Sequence, residues 1–257
     1  MDLKIITSNI RYDDPKDGSH QWSFRQKIWT KCINSFAPHL LGTQEGLHPQ
    51  IQEFAPSIAP LQIIDRHRTW LVDRMYPNLF YHKDVFELLD SGDIWLSQTP
   101  HIPGSLSFNS QFPRLAVWAK LEHKFSHRNF LAINTHLDHL HGETRMEQIA
   151  VLLHELQELK LPTDHCFFMG DFNEGPGDGV QAKIFKHYPN LTDPWVTLNK
   201  KEAGSHHKFD GKNLEKKRID WILASETFNI TDITFDVSCD NDIYPSDHFP
   251  VKLTISF

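Results

Sequence analysis

A single α/β domain, richer in strands than in helices, is what this sequence predicts, and three observations carry the prediction. Apolar runs of strand length recur along the whole chain, punctuated by Gly, Pro and Asn clusters. Helical patterns lie between some of them, the clearest with Met146, Ile149, Ala150, Leu153 and Leu156 on one stripe. The 257 residues can bury a substantial core, and neither an internal repeat nor a long linker divides them, so residues 1–257 read as one domain.

In chain order, strands are expected over 3–10, 40–43, 79–81, 86–89, 94–96, 115–121, 130–134, 166–169, 219–223 and 251–255. Helices are expected over 23–36, 50–58, 143–159 and 180–187. The stretch PGSLSFNSQFP reads as a loop, and the polar, glycine-containing segment 200–217 as a mobile surface loop.

Composition narrows the function classes. Hydrophobic residues make up 39% and charged residues 23% of the chain, and no apolar run approaches the roughly 18 residues of a membrane span. The opening MDLKIITSNIRY reads directly into a strand, without the basic and apolar regions of an export signal. Cys32, Cys166 and Cys239 are an odd number at wide spacing, which fits neither a disulfide framework nor a zinc cluster. A reducing cytoplasm is the expected setting, with Cys166 a buried strand residue. Net charge is −7, so the surface should repel a polyanion unless basic residues gather around the site. Lys212, Lys216, Lys217 and Arg218 are the compact basic cluster. The 17 histidines are scattered, and none forms a zinc-peptidase-like helical pair.

Chemistry is concentrated where apolar runs end abruptly in carboxylates, amides or imidazoles: ITSNIRY, LLGTQEG, LAINTHLDH, CFFMGDFNEGPGDG, RIDWILAS and YPSDHFPV. Strand ends converge on one rim of a sheet packing, so such groups can meet although distant in sequence. Asp171 and Asn173 fit an Asx-turn equally well as a carboxylate and amide that hold a water beside a phosphoryl oxygen. Glu45 could cap the following segment and Asn9 could end an edge strand. Together with Asp247 they also form the sparse oxygen shell that Mg²⁺ prefers. Asp220 hydrogen-bonded to His248 would fix the ring's tautomer and raise its basicity. His136, again at a strand end, would add a donor toward a phosphate oxygen.

In this order, the N, QE, THL, GDFN, RID and SDH segments resemble the endonuclease/exonuclease/phosphatase superfamily, which includes DNase I. The resemblance spans nearly the whole chain. NIRYDDPKDGSHQWSFRQ, FELLDSGDIWLSQTPHIPGS and FPRLAVWAKL further resemble a bacterial branch with poorly defined substrates. The resemblance implies a four-layer αββα sandwich, with two packed mixed β-sheets flanked by helices. It also implies Asn9, Glu45 and Asp247 around Mg²⁺, or Mn²⁺ in its place. His136 and Asn173 would contact the scissile phosphate, Asp171 would position or deprotonate the water, and Asp220 and His248 would pair. DRMYPNLFYHKD and GSHHKFDG depart from the branch pattern in substrate-facing regions. Arg114 in FPRL, with His207 in GSHHKFDG, is the candidate holder of a substrate's anionic group, with a surface ion pair as the competing reading.

The expected activity is hydrolysis of a small or short phosphoester, phosphodiester or phosphomonoester, by in-line attack of an activated water. Either Asp171 or His248 could serve as general base. A nuclease is the alternative within catalysis. It needs a basic track or stacking aromatics, for which Trp22, Trp70 and Trp95 compete with roles as core or loop anchors. A catalytically inactive binding module of the same fold is the alternative outside it, disfavoured because clustered acids, amides and imidazoles are costly without a metal or substrate.

Overall fold

Parallel strand pairs need a crossover, and the chain supplies two. In the computed structural model, which describes residues 2–212 and 217–256, β1 (Asp2–Asn9) and β2 (Leu40–Leu47) pair in parallel through helix α1 (Trp22–Phe36). The second parallel pair, β7 (Asn129–His136) and β8 (Cys166–Asp171), is joined through α3 (Gly142–Glu158), with α2 (His48–Phe54) earlier in the chain. Antiparallel strands extend both pairs. The first sheet adds β3 (Leu61–Ile63), β4 (Met75–His82), β11 (Asn229–Phe235) and β12 (Val251–Ser256), in the order β11-β12-β1-β2-β4-β3. The second adds β5 (Phe86–Trp95), β6 (Leu115–His123), β9 (Leu191–Thr192) and β10 (Asp220–Ser225), in the order β5-β6-β7-β8-β10-β9.

The two sheets pack face to face over an apolar layer that includes Leu3, Ile5, Leu79, Val117, Ala132, Phe167, Met169, Ile222 and Leu253. The outer face of the first sheet is covered by α1 and α2 around Trp22, Trp29, Ile33 and Phe54. Helices α3 and α4 (Gly179–His187) cover the second through Ile149, Leu153, Val180 and Ile184, completing a four-layer αββα sandwich. β8 is buried along its whole length, which is why CFFM reads as a continuous apolar run.

Edge strands account for most departures from the sequence reading. The runs expected at 86–89 and 94–96 are one strand, β5, with a register shift between Leu88 and Asp90. Its polar DSGD centre is tolerated because β5 lies at the sheet edge. β11 was not anticipated because NITDITF leaves much of its surface to solvent at the opposite edge. The helix expected over 50–58 divides into α2 and a 3-10 turn, Ala55–Ile58.

The segment expected as a mobile surface loop is tied down over 200–212. Ser205 and His207 are buried, Phe249 N donates to Ser205 O, and His207 N donates to Asp247 O. The basic cluster also dissolves: Arg218 is buried against Asp193 and Glu202, Lys217 pairs with Asp178, and Lys216 lies outside the described residues. Trp22 and Trp95 are core residues, and Trp70 stacks on His48.

A polar seam crosses the sandwich beneath the strand ends. Gln44 Nε2 donates to Asn134 Oδ1 (2.6 Å) and Thr7 Oγ1 (2.9 Å), and Asn134 Nδ2 donates to the carbonyls of Thr43 and Asn78. Bonds that join the two sheets fix their relative height, and hence the positions of the groups at the rim.

Candidate active site

Register gathers the polar strand ends. In the second sheet Asp171 is paired with His136 of β7 on one side and Asp220 of β10 on the other. Residues level with one another on adjacent strands present their side chains to the same face. In the first sheet Asn9 is level with Gln44, next to Glu45. Glu45 stands in a bulge between Thr43 and Gly46, in the left-handed region at φ 65°, and its carboxylate lies at the cleft wall. Asp247 and His248 precede β12, the partner of β1.

Gly170, next to Asp171, is required where it stands. Its φ is +148°, and a Cβ there would lie 2.1 Å from the carbonyl oxygen of Thr135 on β7. Only glycine lets β8 approach β7 this closely, and that approach sets the height of Asp171 beside His136.

The side chains meet in a connected network. Asn9 Nδ2 donates to Asp171 Oδ2 (3.0 Å) and Glu45 Oε1 (3.1 Å), while Asn9 Oδ1 accepts from Arg11 N. His136 Nε2 is 3.5 Å from Asp171 Oδ2. His248 Nδ1 is 2.7 Å from Asp220 Oδ2 and 3.9 Å from Asp171 Oδ2. Ser205 Oγ donates to Asp220 Oδ2 at 2.6 Å. Asn173 N donates to Asp171 Oδ1, so the Asx-turn is present, and the same turn aligns the carboxylate.

Burial and charge divide these groups into distinct protonation states. Burial, then the neighbouring charge of Asp220, pushes Asp171 up to about 7, against the opposing pull of His248 and the Asn9 hydrogen bond. Burial would lower His248, but Asp220, Asp171 and Asp247 together hold it well above the usual imidazole range. Burial, then Arg114, holds His136 well below that range. Asp247 is raised by burial, yet His248, His206, Arg11 and Arg25 outweigh this and keep it below the ordinary carboxylate range. The site therefore combines a carboxylate near neutrality, an imidazolium and a neutral imidazole, the spread expected where groups divide acid and base roles.

These residues border a cleft of about 650 Å³. Glu45, Arg114, His136, Asp171, Asn173, Asp247 and His248 line it, while Asn9 and Asp220 stand behind Asp171 and His248. His207, expected to hold an anion with Arg114, is not at the wall: its ring is buried and stacked on Phe249 at 3.9 Å. His206 lines the cleft instead, stacked on His248 at 4.6 Å. Neighbours in an extended segment point opposite ways, and the HH doublet gave no phase for that alternation.

Sequence reasoning also missed Arg11 and His139, which line the cleft. It missed Arg25 as well, a buried guanidinium that donates to the carbonyls of Ile10, Arg11 and Pro245. Arg25 thereby joins the loop after β1 to the loop carrying Asp247, and nothing in the local sequence around it signals that reach.

The donor set fits a divalent cation. Glu45 accepts hydrogen bonds from Asn9 and the Tyr12 N–H, but its nearest guanidinium, Arg11, is 4.0 Å away. Glu45 and Asp247 bring carboxylate oxygens to the cleft wall, and His206 lies 3.8 Å from Asp247. Oxygen-rich, incompletely neutralised clusters of this kind suit a hard cation that keeps some of its waters.

Comparison with known proteins shows the fold and the family. Among solved structures, an endonuclease/exonuclease/phosphatase family protein of Bacteroides thetaiotaomicron superimposes with a TM-score of 0.87 at 24% identity, covering 99% of this chain and 98% of that one. A mannosyl-6-phosphatase of the same organism gives a TM-score of 0.86 at 25% identity, covering 99% and 100%. TDP2 of D. rerio, solved with a single-strand DNA product, gives 0.76 at 19% identity, covering 100% and 99%. Comparison with curated protein sequences gives no match. The model of the Endonuclease/Exonuclease/phosphatase family matches residues 6–248, and the chain belongs to that family.

Proposed function

We propose that the chain is a divalent-metal-dependent hydrolase of small phosphoesters, acting by direct attack of water on phosphorus. The observation that carries this reading is the placement of Asp171, on the wall of a cleft, between His136 and the His248–Asp220 pair. The cleft volume of about 650 Å³ suits a small ligand. A mannosyl-6-phosphatase 25% identical over nearly the whole chain supports a compact phosphorylated substrate.

The residues take distinct parts. Asp171, held by Asn9 and the Asn173 N–H and poised near neutrality, accepts the proton of the attacking water. His248, kept as an imidazolium by Asp220, faces the negative charge that builds on the phosphoryl group. His136 and Asn173 bind the phosphoryl oxygens from the other side. Glu45 and Asp247, with Asn9 behind them, would hold Mg²⁺, or Mn²⁺ in its place. The ion would neutralise phosphoryl charge and favour formation of the nucleophile. No covalent enzyme intermediate is required.

Long nucleic acid is the less favoured substrate. Asp13 and Asp73 line the cleft together with the arginines, and Lys217 and Arg218 of the basic cluster are paired with Asp178 and Asp193. With a net charge of −7, the chain gains little from the counterion release that drives polyanion binding. Three free cysteines, two of them buried, are consistent with a reducing compartment. The test compares kcat/KM for sugar phosphates, other small monoesters and diesters, oligonucleotides and plasmid DNA, at about 50 and 200 mM salt with Mg²⁺ or Mn²⁺. Turnover confined to small esters supports the reading. Efficient DNA or RNA cleavage that falls steeply with salt, with small esters untouched, replaces it with a nuclease.

A further inference from the structure

Arg114 is set apart from the other buried arginines. Arg68 and Arg218 face carboxylates, and Arg25 faces backbone carbonyls. Arg114 lies at the start of β6, is 6% exposed, and has no carboxylate within ion-pair distance among the described residues. Its Nη1 is 2.9 Å from His136 Nδ1 and its Nη2 is 3.5 Å from His139 Nδ1, while its Nε has no partner. A guanidinium offers five N–H donors and no acceptor, and it stays protonated inside proteins. An imidazole nitrogen at hydrogen-bond distance from it must therefore supply a lone pair, which leaves the ring's single proton on the opposite nitrogen.

We propose that Arg114 is a positioning residue that fixes the tautomer of His136, holding its single proton on Nε2, so that its one N–H points toward Asp171 and the phosphoryl-binding space. Protonation of Nδ1 would set two N–H groups against each other inside a buried wall. The groups facing His136 are Arg114, Asp171 and, farther off, His139 and His248. Of these only Asp171 favours an imidazolium, and it stands on the Nε2 side. His136 is then fixed as a hydrogen-bond donor and takes no part in moving protons, which leaves that task to Asp171 and His248. Arg114 thus acts through His136, where sequence reasoning had it meeting the substrate's anionic group directly. The catalytic consequence rests on the phosphoester-hydrolase reading, but the protonation state does not.

The test is ¹⁵N NMR of selectively histidine-labelled protein, with His136 assigned through a His136→Gln variant, on the wild type, Arg114→Met and Arg114→Lys. The wild type is expected to show Nε2 protonated and Nδ1 bare at neutral pH. Arg114→Met should raise the fraction of His136 protonated on Nδ1 at least about tenfold and lower kcat by roughly a hundredfold. Arg114→Lys retains a charged donor and should restore the wild-type signals and most of kcat. A proton on Nδ1 in the wild type, or unchanged His136 signals in Arg114→Met, overturns the proposal. A raised KM with unchanged signals would also overturn it, and would make Arg114 a direct substrate contact. The expected signals in a protein that hydrolyses no phosphoester support the proposal and overturn only the functional reading.

Discussion

Replacing Asp220 with Asn removes one charge from the site and leaves its shape, which isolates what that carboxylate does for His248. Asp220 Oδ2 accepts from Ser205 Oγ at 2.6 Å and lies 2.7 Å from His248 Nδ1, and an amide oxygen can occupy the same place. What disappears is the attraction between a carboxylate and a buried imidazolium. At a charge separation of about 4 Å and an effective dielectric near 20, this attraction is on the order of 4 kcal/mol. That corresponds to a factor of roughly a thousand in the protonation equilibrium of His248. With the carboxylate gone, burial is the largest influence left, and it favours the neutral ring against the remaining pull of Asp171 and Asp247. Loss of an orienting carboxylate of this kind lowers kcat by about 10² to 10⁴. The assay is a pH–rate profile of Asp220→Asn between about pH 5 and 9, beside the ¹H–¹⁵N signals of His248. The expected result is a neutral His248 at pH 7 and a kcat reduced by at least about a hundredfold. A rate within about threefold of wild type, or an imidazolium signal that persists, would refute the assigned role.

Other perturbations test separate links. Asp171→Asn should lower kcat by roughly a hundredfold or more at saturating substrate with an unchanged circular dichroism spectrum, and near-wild-type turnover would remove Asp171 from the chemistry. Gly170→Ala would place a Cβ 2.1 Å from the Thr135 carbonyl at a φ of +148°, so urea denaturation should report a loss of at least about 3 kcal/mol. A loss below about 1 kcal/mol would show that the pair of strands can open there at little cost. Burial, then His82 and Lys4, depresses His39 to about 4, and its Nδ1 accepts from Lys4 N. Between its ordinary value of 6.5 and about 4 the unfolded chain binds the extra proton, so stability should fall as pH drops through that window. His39→Gln should flatten this slope in urea titrations, and an unchanged slope would assign the acid sensitivity to other groups.

Much of the architecture was legible because apolar periodicity reports burial. α1, α3 and α4 lie within a residue of the expected ranges at each end, and the parallel strand β8 announced itself as CFFM. Edge strands were harder. β11 and the centre of β5 carry polar residues toward solvent, and so lose the signal that reading depends on. At the site, residues at strand ends stood out because carboxylates and amides abruptly followed apolar runs. Residues acting from outside the strand ends did not: Arg25, on α1, reaches the carbonyl of Pro245, 220 positions away in the chain, and no local pattern records such a contact. His206 and His207 differ only in which way each side chain points, and that phase is set by pairing with the loop that carries Asp247 and His248. The polar character of 200–212 suggested solvent, whereas Ser205 donates to Asp220 and the buried His207 accepts from Gly211 N.

Phosphoester hydrolysis is proposed to require a divalent cation held by Glu45 and its neighbours. That requirement is tested most directly by stripping the protein with EDTA and measuring phosphate release from a small phosphomonoester as Mg²⁺ or Mn²⁺ is restored, in parallel with calorimetric titration of the same ions. The wild type should be inactive when stripped and recover with saturable metal binding. Glu45→Gln should weaken that binding and lose turnover together, because an amide carries no charge to offset the ion. Undiminished hydrolysis by stripped protein shown to be metal-free, or full metal-dependent activity in Glu45→Gln, would contradict a metal role for Glu45.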